Sequence, residues 1–494
     1  MELSKMNSKE NNRNLWKDVY YDEYQYHVTI STIGSTTESA EEIDDKIVYM
    51  EDLEKRKQVY GICGECNEPG TGQYWCQSCN AKRFKDNFKN WTSGNKDIDE
   101  FIQQSQLNAV HCKKYIEWIP FENFKDITYI TRGGFGKIYS AEWPEGCISI
   151  WDIENQKWDR IGNTKVALKS LDNSSCISTE FLNEIKTHLQ IYLWDVIQCY
   201  GITQDPNTKD YMMILEYCKD GNLRNYYLNN ESDYYSKISK LQEIARGLLD
   251  IHNAGKVHKD FHSGNILHEG SYPLISDLGM CQPANNEKQS VKQEGIYGVL
   301  PYMAPEVLRG YQYTKTSDIY SFGIMMNEFI SEETPYNNIP HNHALSIKIC
   351  KGLRPNIFKY TPKLLADLIT KCWDAKAENR PTAKELYQTL YKCGNEEFDD
   401  IDTESQVDKD SDAKPQVEEY NDKIKLNRTS EKRANNIQTH PQAIYTSRLL
   451  NFKNLPEPVN SDANKTTLRS ECFDCQLDEL DLNESDQEEE NNTE

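Results

Sequence analysis

The sequence lacks any long apolar run. None of its 494 residues belongs to a stretch approaching the roughly 18 consecutive apolar residues that a membrane-spanning helix needs. The opening residues Met1–Asn14 are polar and contain no apolar core of a secretory signal peptide. We therefore expect a soluble protein without membrane insertion, located in the cytoplasm, with the nucleus as the alternative.

Positive charge is also scarce. Lysine and arginine number 56 against 79 aspartates and glutamates, which gives a formal net charge of −23. Binding to nucleic acid depends on basic side chains that displace counterions from phosphates, so this balance argues against a nucleic-acid partner. The one short basic patch, formed by Lys82, Arg83, Lys85 and Lys89, is typical of a solvated face.

Fifteen cysteines in a chain without a secretion signal favour thiols and metal ligands over disulfides. Four of them form two Cys-x-x-Cys pairs, Cys63 with Cys66 and Cys76 with Cys79, and two such turns can place four thiolates around zinc. We predict a structural zinc ribbon with no open coordination position. The alternative is four unligated surface cysteines. Cys472 and Cys475 in the tail have no second pair nearby and are more typical of free thiols.

Composition divides the chain into five segments. Polar residues without periodicity predict disorder at the start, and the acidic end of the chain predicts an unfolded tail. Between them lie the cysteine-rich module, a connector with helix-like apolar spacing, and a large domain whose strand pattern gives way to helices after Leu223. The predicted segments are 1–57 (disordered), 58–90 (four-cysteine, zinc-ribbon-like module), 91–117 (connector helix), 118–396 (large domain) and 397–494 (acidic disordered tail).

The large domain carries residues suited to moving a phosphoryl group. Such chemistry needs a cradle for phosphates, cations, metal ligands and a carboxylate that deprotonates the acceptor hydroxyl. Taken alone, a glycine cluster between strands is more often an ordinary hairpin, and an apolar strand that ends in lysine is usually a core strand. Asparagine five residues after an aspartate, followed by Asp-Leu-Gly, is harder to explain by chance. The segments, in order, are Ile130–Tyr139 with Gly133 and Gly136, Val166–Lys169, the helix containing Glu184, His258–Leu267, and Asp277–Gly279.

This series resembles the signature of the protein kinases. Further matches are Ala304–Glu306, Ser317–Gly323, and Cys372–Asp374 leading to Arg380 and Pro381; the last two resemble the tyrosine-kinase-like group in particular. The resemblance implies an α+β, two-lobed protein-kinase fold with a β-rich small lobe and a helical large lobe, here with a zinc ribbon and disordered termini. It also implies ATP and Mg²⁺ as cofactors, a protein substrate and an upstream activator of unknown identity.

Carried over by position, the resemblance implies that Lys169 contacts the α and β phosphates of ATP and pairs with Glu184. Asp260 would receive the proton of the acceptor hydroxyl, and Asn265 and Asp277 would hold magnesium. Supporting roles fall to an ion pair of Glu306 with Arg380 and to Asp318, which would brace the catalytic loop. The remaining nucleotide contacts would be the loop glycines, the residues enclosing adenine, the gatekeeper and the hinge: Gly133, Gly136, Ile138, Ala167, Leu267, Leu215, Glu216 and Cys218.

Two departures from the family pattern bear on the acceptor. His262 stands where Ser/Thr kinases usually have lysine, and Val299 stands where they usually have threonine. We count His262 among the catalytic candidates, because in its protonated form it could donate a charge-assisted hydrogen bond to the transferring phosphoryl group. We favour Ser/Thr acceptors, since the arginine and alanine signature of tyrosine kinases is missing from the catalytic loop, and tyrosine remains the alternative.

The segment Asp277–Glu306 is expected to be ordered by phosphorylation at Ser290 or Tyr297. Lys259, beside the catalytic aspartate, could pair with the added phosphate.

Two other function classes remain open. A pseudokinase scaffold would bind partners without phosphate transfer, although Lys169, Glu184, Asp260, Asn265 and Asp277 are all present. Alternatively, the cysteine module could act as an adaptor that binds nucleic acid or ubiquitin.

Overall fold

The computed structural model describes residues 15–18, 48–133, 136–171, 179–191, 195–284, 295–395, 413–429 and 439–460. Ser290, one of the two residues expected to be phosphorylated, and the Cys472 and Cys475 pair lie outside these ranges. None of the described helices is both long enough and apolar enough to cross a membrane.

The N-terminal module packs helices around the cysteine pairs. Its first strand lies inside the segment predicted to be disordered, where Leu15 pairs with Ile62 and Trp16 with Gly61. The structure thus differs from that prediction at 15–18 and 48–57, and the first helix begins at Leu53, capped by Asp52. The elements are β1 (Leu15–Trp16), α1 (Leu53–Tyr60), β2 (Gly61–Ile62), α2 (Gln77–Asn87) and α3 (Lys96–Leu107).

The small lobe is a twisted sheet with one helix and one side hairpin. Six strands hydrogen-bond in the order β3-β9-β10-β8-β5-β4, and β6 pairs separately with β7. The helix predicted from Thr179 to about Leu189 is present as α4. The elements are β3 (Glu117–Trp118), β4 (Lys125–Gly133), β5 (Gly136–Trp143), β6 (Cys147–Asp152), β7 (Lys157–Ile161), β8 (Thr164–Leu171), α4 (Thr179–Gln190), β9 (Cys199–Gln204) and β10 (Tyr211–Glu216).

The large lobe is helical and contains the largest hydrophobic core. Its α6 buries apolar residues at three- and four-residue steps, including Ile238, Leu241 and Leu248, and the chain then turns at Gly255 with φ +70°. The elements are α5 (Leu223–Asn229), α6 (Tyr234–Asn253), β11 (Lys256–Val257), β12 (Ile266–Glu269), β13 (Tyr272–Ile275), β14 (Gln282–Pro283), β15 (Ile296–Gly298), α7 (Pro305–Leu308), α8 (Lys315–Ser331), α9 (His343–Cys350), α10 (Lys363–Cys372) and α11 (Ala383–Asn395).

Two parts of the acidic tail are folded against the large lobe, which corrects the prediction of an unfolded tail over 397–494. Helix α12 (Ala413–Thr429) buries Val417, Tyr420 and Ile424 on one face, and strand β16 (Arg448–Leu450) pairs with β15. The apolar residues of α12 are few and separated by charged ones, so its helical face is hidden in the average composition.

Candidate active site

A lysine bridges two carboxylates between the lobes. Lys169 on β8 donates from Nζ to Glu184 Oε1 at 2.7 Å and to Asp277 Oδ1 at 2.8 Å. Burial opposes the lysine charge, yet Asp277 and Glu184 together raise the pKa of the Lys169 ammonium above its usual range. Burial alone would raise the pKa of the Asp277 carboxyl group. The Lys169 ammonium outweighs this effect, and the pKa is lowered overall. The lysine and Asp277 are therefore both charged at neutral pH.

The absence of a side chain at Gly279 leaves room for the Glu184 carboxylate. A Cβ atom built on Gly279 would lie 2.9 Å from Glu184 Oε2, closer than real Cβ contacts. Asp277 itself has the left-handed φ of 59°, which aspartate tolerates better than most residues.

The catalytic-loop residues also converge. Asn265 donates from Nδ2 to the Asp260 carbonyl oxygen at 2.9 Å and to Asp260 Oδ2 at 3.3 Å. Asp318 accepts the backbone N–H groups of His258 at 2.8 Å and of Lys259 at 3.0 Å, which is the bracing role expected from the sequence. Although burial disfavours its charge, His262, Ser447 and His258 lower the pKa of the Asp260 carboxyl group.

His262 faces the same carboxylate. Its Nδ1 accepts the backbone N–H of Gly264 at 3.0 Å, so the imidazole proton belongs on Nε2. Nε2 lies 3.7 Å from Asp260 Oδ1 and 3.3 Å from the Oγ of Ser447. Nε2 therefore faces Asp260 and Ser447 as a hydrogen-bond donor.

Apolar residues expected around adenine lie together at the interface of the lobes. Ala167 on β8 pairs with Leu215 on β10, and Ile138 on β5 pairs with Lys169. Leu267 and Cys218 pack against the same hydrophobic cluster as Leu215 and Ala167.

The hinge and the glycine hairpin complete the predicted nucleotide contacts. The N–H of Glu216 donates to Gln198 O at 2.9 Å. By contrast, the Cys218 N–H has no acceptor among the described residues. Gly133 and Gly136 face each other across the β4–β5 hairpin.

Supporting contacts expected from the sequence are present. Arg380 forms a buried bidentate pair with Glu306 at 2.6 and 2.9 Å. Lys259 donates to Gln282 Oε1 at 3.3 Å and lies 4.9 Å from the centre of the Tyr313 ring. Its ammonium group thus already has partners within the activation segment and large lobe.

The four module cysteines form one cluster. Their sulfur atoms lie within 4.8 Å of one another, with Cys63 and Cys79 at 3.9 Å and Cys66 and Cys76 at 3.6 Å. Four thiolates at about 2.3 Å from a tetrahedral zinc ion would be separated by about 3.8 Å. The donor set and its spacing therefore fit zinc.

A tail serine that sequence reasoning missed lies at the centre of the site. Ser447 donates from Oγ to Asp260 Oδ2 at 2.5 Å, although 187 residues separate the two positions. The nearest signal in the sequence was the apolar group Leu449, Leu450 and Phe452 within an otherwise polar tail.

A family model described as protein tyrosine and serine/threonine kinase matches residues 113–390, more than half of the chain. The chain belongs to this family. A protein kinase domain implies ATP, Mg²⁺ and a protein substrate. The β-rich and helical lobes described above are the two lobes of this kinase domain.

Individual relatives include kinases of both acceptor classes. The chain is 32% identical over 196 residues to a probable LIM domain-containing serine/threonine-protein kinase of Dictyostelium discoideum, a match that covers 39% of the chain and 29% of the relative. It is 25% identical over 280 residues to a tyrosine-protein kinase of Girardia tigrina, covering 54% and 53%. It is 28% identical over 316 residues to stress-activated protein kinase alpha of Dictyostelium discoideum, covering 60% and 46%. The kinase chain thus spans less than two thirds of the length of each of these relatives.

Proposed function

We propose that the protein transfers the γ-phosphoryl group of ATP to serine or threonine hydroxyls of proteins. The observation that carries this proposal is the pairing of Lys169 with both Glu184 and Asp277, at 2.7 and 2.8 Å, beside an ionised Asp260. A positive group for phosphates, an acidic metal ligand and a base are thereby joined in one cleft. A pseudokinase would have no need to keep all of them.

The nucleotide contacts follow from position. The Gly133 and Gly136 hairpin would cover the phosphates, and Lys169 would contact the α and β phosphates. The free N–H of Cys218 and the carbonyl of Glu216 would bond the purine edge, with Leu215 as gatekeeper. Ile138, Ala167 and Leu267 would enclose the adenine ring.

Asp277 and Asn265 would hold Mg²⁺, which neutralises charge on the phosphates when bound. The fit to Mg²⁺ depends on which oxygen atoms of Asn265 and Asp277 are available as ligands. Asn265 directs its Nδ2 to Asp260, which leaves Oδ1, an oxygen of the kind that Mg²⁺ prefers, available as a ligand. The carboxylate of Asp277 supplies the second ligand.

Asp260 would orient the acceptor hydroxyl and take up its proton, and His262 would donate from Nε2 to the same oxygen. Both assignments are supported by the hydrogen bonds that Ser447 makes with these two side chains. His262 then positions the acceptor, a role in which lysine is the usual residue of Ser/Thr kinases.

The Ser/Thr preference is supported by the reach of Ser447. Its short side chain bridges from the backbone of a paired segment to Asp260, whereas a tyrosine hydroxyl lies several ångströms further from its Cα. The arginine and alanine signature of tyrosine kinases is also missing from the catalytic loop, which further favours serine and threonine.

We test this function with purified protein, Mg²⁺, γ-labelled ATP and a mixed peptide library in which each peptide carries one serine, threonine or tyrosine. Label is expected on serine and threonine, and Asp277→Asn should abolish it. Label confined to tyrosine would contradict the acceptor assignment. Bound ATP without label on any acceptor would support the pseudokinase alternative and overturn the proposal.

We also propose a structural zinc ion held by Cys63, Cys66, Cys76 and Cys79. Four thiolate ligands leave no position for a reacting water, so the ion would stabilise the fold without chemistry of its own. Elemental analysis of protein purified without chelator should give one zinc per chain. Absence of zinc from such protein would exclude the ribbon.

A cytoplasmic location is the corresponding proposal for the compartment. It is supported by the twelve described cysteines, none of which forms a disulfide. Thiols persist in reducing compartments, whereas oxidising ones favour disulfides.

A further inference from the structure

The tail segment 439–460 crosses the mouth of the catalytic cleft. Its strand β16 pairs antiparallel with β15 of the activation segment, Gly298 with Arg448 and Ile296 with Leu450. Tyr297, one of the two predicted phosphorylation positions, donates its hydroxyl to the carbonyl oxygen of Ser447 at 3.1 Å. The backbone of the tail is thus fixed directly beside the catalytic loop.

The Ser447 hydroxyl lies against Asp260, where the hydroxyl of a protein substrate would meet the proposed base. Its O–H donates to Asp260 Oδ2 at 2.5 Å, so the base that would take its proton is already in contact. The Nε2 of His262, which carries the imidazole proton, lies 3.3 Å from the same Oγ. A base on one side and a donor on the other leave an oxygen lone pair free to attack.

Contacts on both sides of Ser447 anchor the segment. Before it, Tyr445 lies under the Arg224 guanidinium at 4.5 Å, and the N–H of Ile444 donates to His341 Nδ1 at 3.0 Å. Arg448 donates to the His341 carbonyl oxygen at 2.6 Å, and Leu450 is only 7% exposed in the core of the large lobe.

The anchoring continues to the end of the segment. Phe452 stacks on His343 with ring centres 5.7 Å apart, and the N–H of Val459 donates to Cys350 O at 3.0 Å. The contacts therefore extend well beyond the single serine.

We propose that Ser447 is an intramolecular phosphate acceptor and that the tail segment occupies the acceptor groove until Ser447 is phosphorylated. This inference rests on the proposed function. Ser447 Oγ forms a bond to the γ-phosphorus of ATP, and the bond from that phosphorus to the β–γ bridging oxygen breaks. ADP leaves, and the hydroxyl proton passes to Asp260 and then to solvent.

Phosphorylation would release the segment. A phosphoserine carries a charge of about −1.5 to −2 and no longer offers an O–H, so the bond to Asp260 is replaced by repulsion between two anions. Before this step the tethered serine competes with external substrates at an effective concentration of roughly millimolar order. The kinase would thereby be restrained by its own tail and activated by modifying it.

The first test measures phosphate on Ser447. The full-length protein is dephosphorylated, mixed with ATP and Mg²⁺, and followed by mass spectrometry across a wide range of protein concentrations. We expect a first-order rate constant independent of protein concentration, as an intramolecular reaction requires. Ser447→Ala should remove this phosphate, and Thr446→Ala, which changes the neighbouring exposed hydroxyl, should leave it. A rate constant proportional to protein concentration would overturn the intramolecular assignment.

The second test compares two leucines of β16. Leu450 is 7% exposed and Leu449 is 71% exposed, so Leu450→Asp should undock the tail while Leu449→Asp should leave it in place. For the dephosphorylated protein acting on an added serine peptide, Leu450→Asp should raise kcat/KM about tenfold, as expected when a tethered competitor is removed.

The outcomes separate this inference from the proposed function. Peptide phosphorylation without phosphate on Ser447, or equal kcat/KM for both leucine variants, would overturn the tail inference alone. Absence of phosphate from every acceptor would overturn both proposals.

Discussion

The catalytic cleft and the four-cysteine cluster both gather ionisable side chains, but they hold them differently. In the cleft, Lys169 lies between Glu184 and Asp277, so opposite charges of the protein itself stabilise the arrangement. In the module, four like thiols lie within 4.8 Å of one another, an arrangement that thiolates can keep only around a cation. The cleft can therefore be organised by folding alone, whereas the module has the donor set for the proposed zinc ion.

The two regions are nevertheless joined by packing. Trp75 of the module stacks on Tyr115 and on Trp158 of the β6–β7 hairpin, with ring centres 5.7 and 5.8 Å apart. Helix α3 buries Ile98 and Ile102 in the same cluster as Phe181 and Ile185 of α4, the helix that carries Glu184. Loss of the module should thus weaken the kinase site without dismantling it.

Among these predictions, removal of the proposed zinc ion should cause the largest loss of folding free energy. Structural zinc sites contribute about 10 kcal/mol or more of folding free energy, so chelation or Cys66→Ser should unfold residues 58–90. Hydrogen exchange should show lost protection there and retained protection in α8, and ATP binding should survive. The matched control is Cys112→Ser, a cysteine near the module but outside the cluster. Unchanged protection after zinc loss would contradict the difference between the two regions.

Arg380→Met tests how much stability is lost when the buried ion pair between Arg380 and Glu306 is broken. It would leave the Glu306 carboxylate buried without its partner, and such changes cost about 3 to 5 kcal/mol in free energy of unfolding. Its control is Arg309→Met, because the partner Glu457 is 78% exposed and such pairs contribute about 1 kcal/mol or less. Denaturant titration that gave equal losses for both variants would count against the argument from burial.

Lys169→Met removes the cation of the cleft. We expect kcat/KM for peptide phosphorylation to fall about 100-fold or more, because two carboxylates and the phosphates lose the charge that neutralises them. Lys165→Met is the control, since Lys165 lies exposed on the same strand and contacts the Tyr217 ring. Similar kcat/KM values for the two variants would remove Lys169 from the proposed chemistry.

The smallest expected effect is the contribution of Glu243 to the pH dependence of folding stability. Burial, with a contribution from Asp195, raises its pKa from 4.5 to about 7, and its Oε2 has no hydrogen-bond partner among the described residues. The folded protein thus binds a proton that the unfolded chain releases, and stability should decline as pH rises from about 4.5 to 7. Glu243→Gln should flatten this decline, an effect of about 1 kcal/mol after allowance for partial exposure. Parallel stability curves for the two proteins would exclude Glu243 as its source.

The features that could be predicted from the sequence are those formed by residues close together in the chain. Asp260 and Asn265 lie in one loop, and the helix periodicity of α6 is regular, so neither required knowledge of distant contacts. The docked tail depends instead on pairs such as Ser447 with Asp260, which are far apart in the sequence and leave no local periodicity. Helix α12 was missed because Val417, Tyr420 and Ile424 are its main buried apolar residues among charged neighbours. Long-range docking is set by the completed surface of the large lobe.

The most direct test of the account compares ATP binding and phosphoryl transfer in the wild type and in Asp260→Asn. In the proposed mechanism the carboxylate acts on the acceptor, so the variant should bind Mg²⁺ and ATP with nearly unchanged Kd, measured by calorimetry. Transfer to serine and threonine should fall by about 100- to 10,000-fold, the contribution of a general base. Near wild-type transfer by Asp260→Asn, with ATP binding intact, would contradict the assignment of Asp260 and with it the proposed mechanism.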